Sequence, residues 1–436
     1  MPDSFFRRSR CARGLVALFV VIIITARAEA QIPSVLFGMH ATTGVVNQPP
    51  PTWSNPWPVV TFGSMRLWDT NTGWAQVNPK EGVYDWSLLD KWLADTQQFK
   101  VQNVMYTFGK TPQWASSNPN DPVCGWGPGS CDPPKDLNPD GTGSDQIWQD
   151  FVAAIATRAA GRIKYWELWN EPKNLFFWNG TIPQLVRMAK DARSVILSID
   201  PQAVMLTPPS HGPWQTLYFA GGGPQYADVI TYHGYVYHPG CTGFPRAEDE
   251  LAMISKVRAV MATYGQSAKP LWDTETSWGV TSASCFYGRN LQAAFLAQLF
   301  MLHWSAGVER VFWYQYNNQA NGTLWTEDAK QHNAPGILHQ PGVAFQQVYK
   351  WMVGATMEGP CTVSGTTWTC NFSRPGKYLA QAVWDTSRSC YKGDCTTIEY
   401  TVDPQYTRYL TLDGKTKPID GGKVLVGAQP ILLENQ

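Results

Sequence analysis

From residue 35 to residue 353, short apolar runs alternate with stretches whose apolar residues recur at helical spacing. Repeated βα units leave that pattern, and such units bury their strands only in a parallel sheet covered by helices. Strands are expected over residues 35–40, 59–68, 101–108, 163–171, 203–207, 227–233, 270–275 and 309–316. Helices are expected over 86–99, 144–160, 182–197, 248–264, 289–305 and 341–353, with Asp85 and Ser144 as N-caps. Eight strands in this order fit a closed (β/α)8 TIM barrel with insertions. Pro-rich residues 48–58 stand where a first helix would fall, so the first unit is irregular. A long Pro/Gly/Asn loop spans 110–143, and loops of that length inside a compact domain are usually functional.

Beyond residue 354 the helical spacing stops. Residues 362–369, 378–384, 396–402, 406–412 and 423–433 read as short strands between Gly, Pro and Asp turns. The expected class is therefore α/β, with the barrel over 31–354 and a small C-terminal all-β, sandwich-like domain over 355–436. Residues 1–30 read as a signal peptide. Arg7, Arg8, Arg10 and Arg13 precede the apolar run 14–25, and Ala28-Glu29-Ala30 offers a cleavage site. A membrane anchor is the other reading, but the run is shorter than the roughly 20 residues a spanning helix needs. A secreted or periplasmic location, with no membrane contact after cleavage, follows.

Cysteine use agrees with export. Cys11 leaves with the signal, and the other eight of the nine fall in close sets: Cys124 and Cys131, Cys241 and Cys285, Cys361 and Cys370, Cys390 and Cys395. Four sequential disulfides are expected, although spacing alone does not dictate connectivity. Basic and acidic residues balance at 34 each, which argues against a nucleic-acid partner. A monomer is expected. The chain carries 21 Trp beside 18 Tyr and 18 Phe, often next to Asn, Asp, Pro or Gly. So many suggest a cleft for flat, weakly polar ligands such as sugar rings; the plainer reading of any one Trp is core.

The chemistry gathers in two places. Residues 163–169 end in Asn170-Glu171, and Pro172, with no N–H, stops the strand. This sets an amide and a carboxyl group at a strand end, where barrels keep their chemistry. Aromatic neighbours are expected to exclude water and raise that carboxyl's pKa. Glu275, in Trp272-Asp273-Thr274-Glu275, closes the seventh strand. Strands four and seven of a closed barrel face each other, so both carboxylates would share one cleft, as glycoside cleavage requires. No Gly-rich phosphate loop, H-E-x-x-H or G-x-S-x-G occurs, and the His residues lack metal-ligand spacing; neither metal nor cofactor is expected.

Trp169-Asn170-Glu171-Pro172 resembles the Asn-Glu-Pro motif of clan A glycoside hydrolases, and Trp272-Asp273-Thr274-Glu275 resembles that clan's strand-seven nucleophile motif. The likeness covers roughly residues 33–355 and is nearest to glycoside hydrolase family 39 and related endoglycosidases. It implies a retaining hydrolase with Glu171 as acid/base and Glu275 as nucleophile. It further implies Arg66 as support for the nucleophile, Asn170 as a partner of the sugar 2-hydroxyl, His233 and Tyr235 as neighbours of both carboxylates, and Trp313 as the floor of the cleavage subsite. Arg66 could instead pair a structural acid such as Glu167, and His233 could be a core histidine. Trp114, Trp178 and Trp278 are further sugar-platform candidates. Asp273 departs from the motif, since clan members often carry an apolar residue there. Strand alternation would give it the same facing as Glu275, where a second carboxylate would raise the nucleophile's pKa unless Arg66 offsets it. The expected activity is endo cleavage of a polysaccharide or oligosaccharide. A non-catalytic sugar-binding or adhesive barrel is the rival.

Overall fold

The computed structural model describes residues 30–42, 57–236, 246–278, 288–317, 322–326, 336–391 and 394–436. The signal segment, apart from Ala30, and the pair Cys241 and Cys285 lie outside the described residues.

Eight parallel strands form the inner wall: β1 Phe37–Met39, β2 Ser64–Leu67, β3 Asn103–Thr107, β4 Tyr165–Glu167, β5 Val204–Leu206, β6 Ile230–His233, β7 Leu271–Thr276 and β8 Val308–Trp313. Around them lie α1 Trp74–Val77, α2 Ser87–Gln98, α3 Gln146–Ala159, α4 Ile182–Ile199, α5 Gly212–Ala220, α6 Asp249–Thr263, α7 Arg289–Ser305 and α8 Gln340–Met352. The ladder runs β5-β4-β3-β2-β1-β8-β7-β6. Between β5 and β6 the wall closes without a continuous ladder. A single bridge, Leu206 to Val229, is joined there by Thr231 Oγ1 donating to Thr207 O at 2.6 Å and Thr231 N donating to Thr207 Oγ1 at 2.9 Å.

Local chemistry explains the long helices. α4 starts at a capping box, with Thr181 and Gln184 each satisfying the other's backbone N–H. α7 is buried on every side from Gln292 to His303 because it lies between the barrel and a second sheet. The lumen floor is a layer of Met105, Tyr165, Leu206, Val229, Trp272 and Phe312, with Arg310 stacked 3.9 Å from the Trp272 ring centre. It is a packed interior, as small barrels require.

After α8 the chain builds an antiparallel sheet from strands 356–357, 362–364, 367–374, 378–385, 408–410, 416–418 and 431–434. One face, with Phe372, Ala380, Ala382 and Leu432, joins the barrel's own apolar core. The other, with Val383 and Leu433, packs under a ribbon of 397–401 and 423–427 that brings Val424 and Val426. The result is a two-layered β appendage. Disulfides join Cys124–Cys131, Cys361–Cys370 and Cys390–Cys395. Two segments expected as single strands are split: 362–369 is interrupted at Gly365, and 423–433 between Gly427 and Ile431.

Candidate active site

Arg66 projects from β2 and organises the cleft. It is fully buried and makes bonds to three partners. Its Nε donates to Glu167 Oε2 at 2.7 Å, Nη1 to Glu275 Oε2 at 2.9 Å and Nη2 to Asn170 Oδ1 at 2.8 Å. Both alternatives left open for Arg66 therefore hold together: it pairs Glu167 and touches Glu275. Glu167 is itself fully buried and accepts a further bond from Thr107 Oγ1 at 2.8 Å.

β4 is shorter than expected. It ends at Glu167 rather than Glu171, because the chain turns left-handed at Trp169 (φ 65°) and again at Glu171 (φ 38°). Two such residues around Asn170 store strain of about 1–3 kcal/mol each, the kind of cost that clusters at functional sites. The turn carries Glu171 over the mouth of the barrel. There its Oε1 lies 2.9 Å from His233 Nδ1, at the end of β6. The other ring nitrogen, Nε2, is 3.9 Å from Glu275 Oε2. One imidazole thus reaches both carboxylates. Tyr235 completes the ring by donating its hydroxyl to Glu275 Oε1 at 2.7 Å.

Strand alternation misplaces Asp273. β6 pairs Tyr232 with Asp273 but His233 with Glu275, so Thr274 is an extra residue and β7 bulges. The bulge turns Glu275 into the lumen and leaves Asp273 facing the helical layer. Asp273 Oδ1 accepts from Gly234 N at 3.0 Å and Glu275 N at 3.3 Å, and Oδ2 lies 3.0 Å from His303 Nε2 on α7. His303 Nδ1 lies 2.9 Å from Leu299 O, so the imidazole is held at both ends. Just after β1, His40 Nε2 donates to Thr274 O at 3.0 Å and steadies the bulge from the far side.

The electrostatics also differ from expectation. Burial pushes the Glu171 carboxyl up, but the bond and charge of His233 outweigh it and hold the pKa down at about 2. Burial raises Glu275 against the opposing pull of His233 and Arg66. Both oxygens of Glu275 nevertheless accept hydrogen bonds, a geometry that suits a carboxylate, whereas only Oε1 of Glu171 does.

The tryptophans divide. Trp313, Trp178 and Trp278 are at most 2% exposed: Trp313 donates to Gly322 O, Trp178 packs edge-on to Trp169, and Trp278 stacks on Phe295. None of the three offers an open ring face. Trp114 is half-buried and donates to Asn78 O.

Residue-by-residue reading missed several neighbours. Asp69, beyond β2, accepts from Tyr314 and Gln315 beyond β8. Lys173 sits 2.8 Å from His211 beside Glu171. Strand-end position was the available signal for Asp69 and Tyr314. Among the described residues two groups have metal-ligand spacing: Asp121, Cys124, Cys131 and Asp132, whose cysteines are joined, and the buried Glu250, Asp273 and His303 behind β7.

Fold and site together define a (β/α)8 barrel with an appended β domain and a two-carboxylate cleft. Solved structures share the fold. A family 39 glycoside hydrolase from Bacteroides cellulosilyticus WH2 superposes with a TM-score of 0.65 at 17% identity, over 92% of this chain and 80% of that one. A family 39 β-xylosidase from Caulobacter crescentus gives 0.61 at 14%, over 94% and 98%. A family 51 arabinofuranosidase from Xanthomonas axonopodis pv. citri gives 0.56 at 14%, over 93% and 97%. No family model matches the chain, and no curated protein matches it in sequence.

Proposed function

We propose that the chain is an exported, retaining O-glycoside hydrolase acting on a polysaccharide or oligosaccharide. The observation that carries this reading is that Glu171 and Glu275, from opposite sides of the barrel, are reached by the same His233 ring. The glycoside hydrolases among the structural neighbours support it. Export is supported by the arginine-led apolar leader and the disulfides.

Glu275 attacks the anomeric carbon as the bond to the leaving oxygen breaks, and Glu171 gives that oxygen its proton. The resulting glycosyl ester on Glu275 is then cleaved by water. Glu171 takes the water's proton, its oxygen bonds to the anomeric carbon, and Glu275 leaves as a carboxylate. Arg66 and Tyr235 stabilise that carboxylate. Asn170, whose Oδ1 is held by Arg66, keeps Nδ2 to donate to the sugar 2-hydroxyl.

At rest, the bond from His233 favours the ionised form of Glu171. A sugar filling the cleft displaces water from Glu171 and favours its neutral form, with the proton on Oε2, the oxygen that His233 does not hold. The bonding fits these roles: Oε2 of Glu171 is open towards a leaving oxygen, while two donors hold Glu275 as the carboxylate that attacks.

A 2-deoxy-2-fluoro aryl glycoside tests the reading. Mass spectrometry of a digest should show one glycosyl unit on the peptide containing Glu275. No adduct with any tested sugar, together with unchanged turnover in Glu275→Ala, would refute it.

A further inference from the structure

The rim of the cleft exposes aromatic surface that the two-carboxylate chemistry leaves unused. Trp126 is 45% exposed, Phe176 53% and Leu175 61%. They come from two different loops, 110–143 after β3 and 171–181 after β4, yet form one surface. Gly125 N donates to Phe176 O at 3.0 Å, and a Cβ at Gly125 would lie 2.3 Å from the Phe176 ring. The glycine is what lets the two loops meet.

The surface is continuous with the cleft. Trp126 meets Trp68 edge-on at 6.2 Å, Trp68 meets Phe177 at 6.0 Å, and Phe177 meets Phe176 at 6.1 Å. Trp68 stands two positions after Arg66. Phe177 lies on the turn that starts at Glu171, where Asn174 N donates to Glu171 O at 2.9 Å. The line of rings therefore runs out of the site itself.

It is also held rigid. The Cys124–Cys131 disulfide closes the loop beneath Trp126. Asn179 N donates to Cys131 O at 2.8 Å and Asn179 Nδ2 to Asp121 Oδ2 at 2.9 Å, tying one loop to the other. Lys110 Nζ sits between the Trp68 and Trp126 rings, 4.3 and 4.2 Å from their centres, and donates to Trp68 O. That cation supports one face of Trp126 from within. Ordering an exposed aromatic this thoroughly gains little for folding, whereas a flat preformed apolar face beside a polar cleft suits a ligand.

We propose that Trp126 and Phe176 form an outlying sugar subsite, on which further units of the same carbohydrate chain rest their apolar ring faces. This deepens the hydrolase reading and rests on it for the identity of the chain bound. It makes the protein a reader of several consecutive sugars.

The test uses the full chain as wild type, Trp126→Ala, Phe176→Ala and Trp126→Tyr. Each is assayed for kcat/KM on xylan, mannan and mixed-linkage glucan and on 4-nitrophenyl β-xyloside and β-glucoside. Electrophoresis through gels containing each polymer follows binding separately. Both alanine variants should lose about tenfold more on the polymer than on the aryl glycoside, which is about 1.4 kcal/mol. Their retardation in that polymer's gel should fall, and Trp126→Tyr should recover most of both. Equal losses on polymer and aryl glycoside overturn the subsite and leave the hydrolase reading standing. Trp126-dependent retardation with no cleavage of any substrate keeps the subsite and removes the hydrolase. Wild type retarded by none of the polymers overturns the proposal. So does a change of oligomeric state in the alanine variants with polymer activity intact, which would mark the patch as a protein interface.

Discussion

Replacing Arg66 with Met separates what this arginine does for stability from what it does for chemistry. Methionine keeps the apolar stem of the side chain but removes all its donors. Glu167, fully buried, is then left with Thr107 alone, and Glu275 with Tyr235. Breaking a buried ion pair from one side costs about 3–5 kcal/mol, because the abandoned charge stays buried. At about 2.1 cal/mol/K of unfolding entropy per residue, roughly 400 folded residues melt with about 0.8 kcal/mol/K. The melting temperature should therefore fall by about 4–6 °C. Glu275, already raised by burial, loses the cation that opposes it and rises further. A nucleophile must be ionised, so a higher pKa moves the acidic limb of kcat/KM to higher pH. The double variant Arg66→Met/Glu167→Gln removes the abandoned charge. It should regain most of the melting temperature but none of the activity. Scanning calorimetry and a pH–rate profile read both effects. A drop below about 1 °C, or a double variant that melts no later than the single one, would refute the reasoning.

Two further changes probe other parts of the frame. Asp273→Leu removes the side-chain acceptor of Glu275 N, one of the two acceptors of Gly234 N and the partner of His303 Nε2, at about 1–3 kcal/mol for each polar group left unpaired, and should lower kcat more than it raises KM. Asp273→Asn retains the accepting oxygen and should keep most of both; steady-state kinetics on one substrate compares the pair. Asp145, buried at φ 51° near Asp191 and Asp136, is pushed up to about 9. The unfolded chain loses this proton near pH 4 while the fold keeps it to about 9, so stability drains away as pH rises between those values. Asp145→Asn, a residue that tolerates the left-handed backbone, should therefore melt higher at pH 8 and show no advantage at pH 4 in a thermal shift series.

The βα alternation was readable because the strands are almost wholly buried and helices such as α2, α4 and α8 carry an apolar stripe. α7 spans the expected 289–305. The helix α5 escaped because it is short and opens on Gly212-Pro213, a pair that reads as a turn. Glu171 and Glu275 were legible as acids at strand ends. Their aim was not: one depends on two left-handed residues and the other on a bulge, and a count of alternating positions registers neither. The tryptophans failed for a related reason. Sequence neighbours do not say which ring will be covered, and the loop contacts that leave Trp126 open while burying Trp178 and Trp278 join residues far apart in the chain.

The closure between β5 and β6 has a further consequence. A hoop whose ladder gives way there to one bridge, a few backbone bonds and a threonine pair will part at that joint first, and His233 stands on one side of it while Glu171 stands on the other. Gentle warming that eases the joint would therefore part His233 from Glu171 while the helices stayed intact. Such a molecule would stop working some degrees before it stopped being folded.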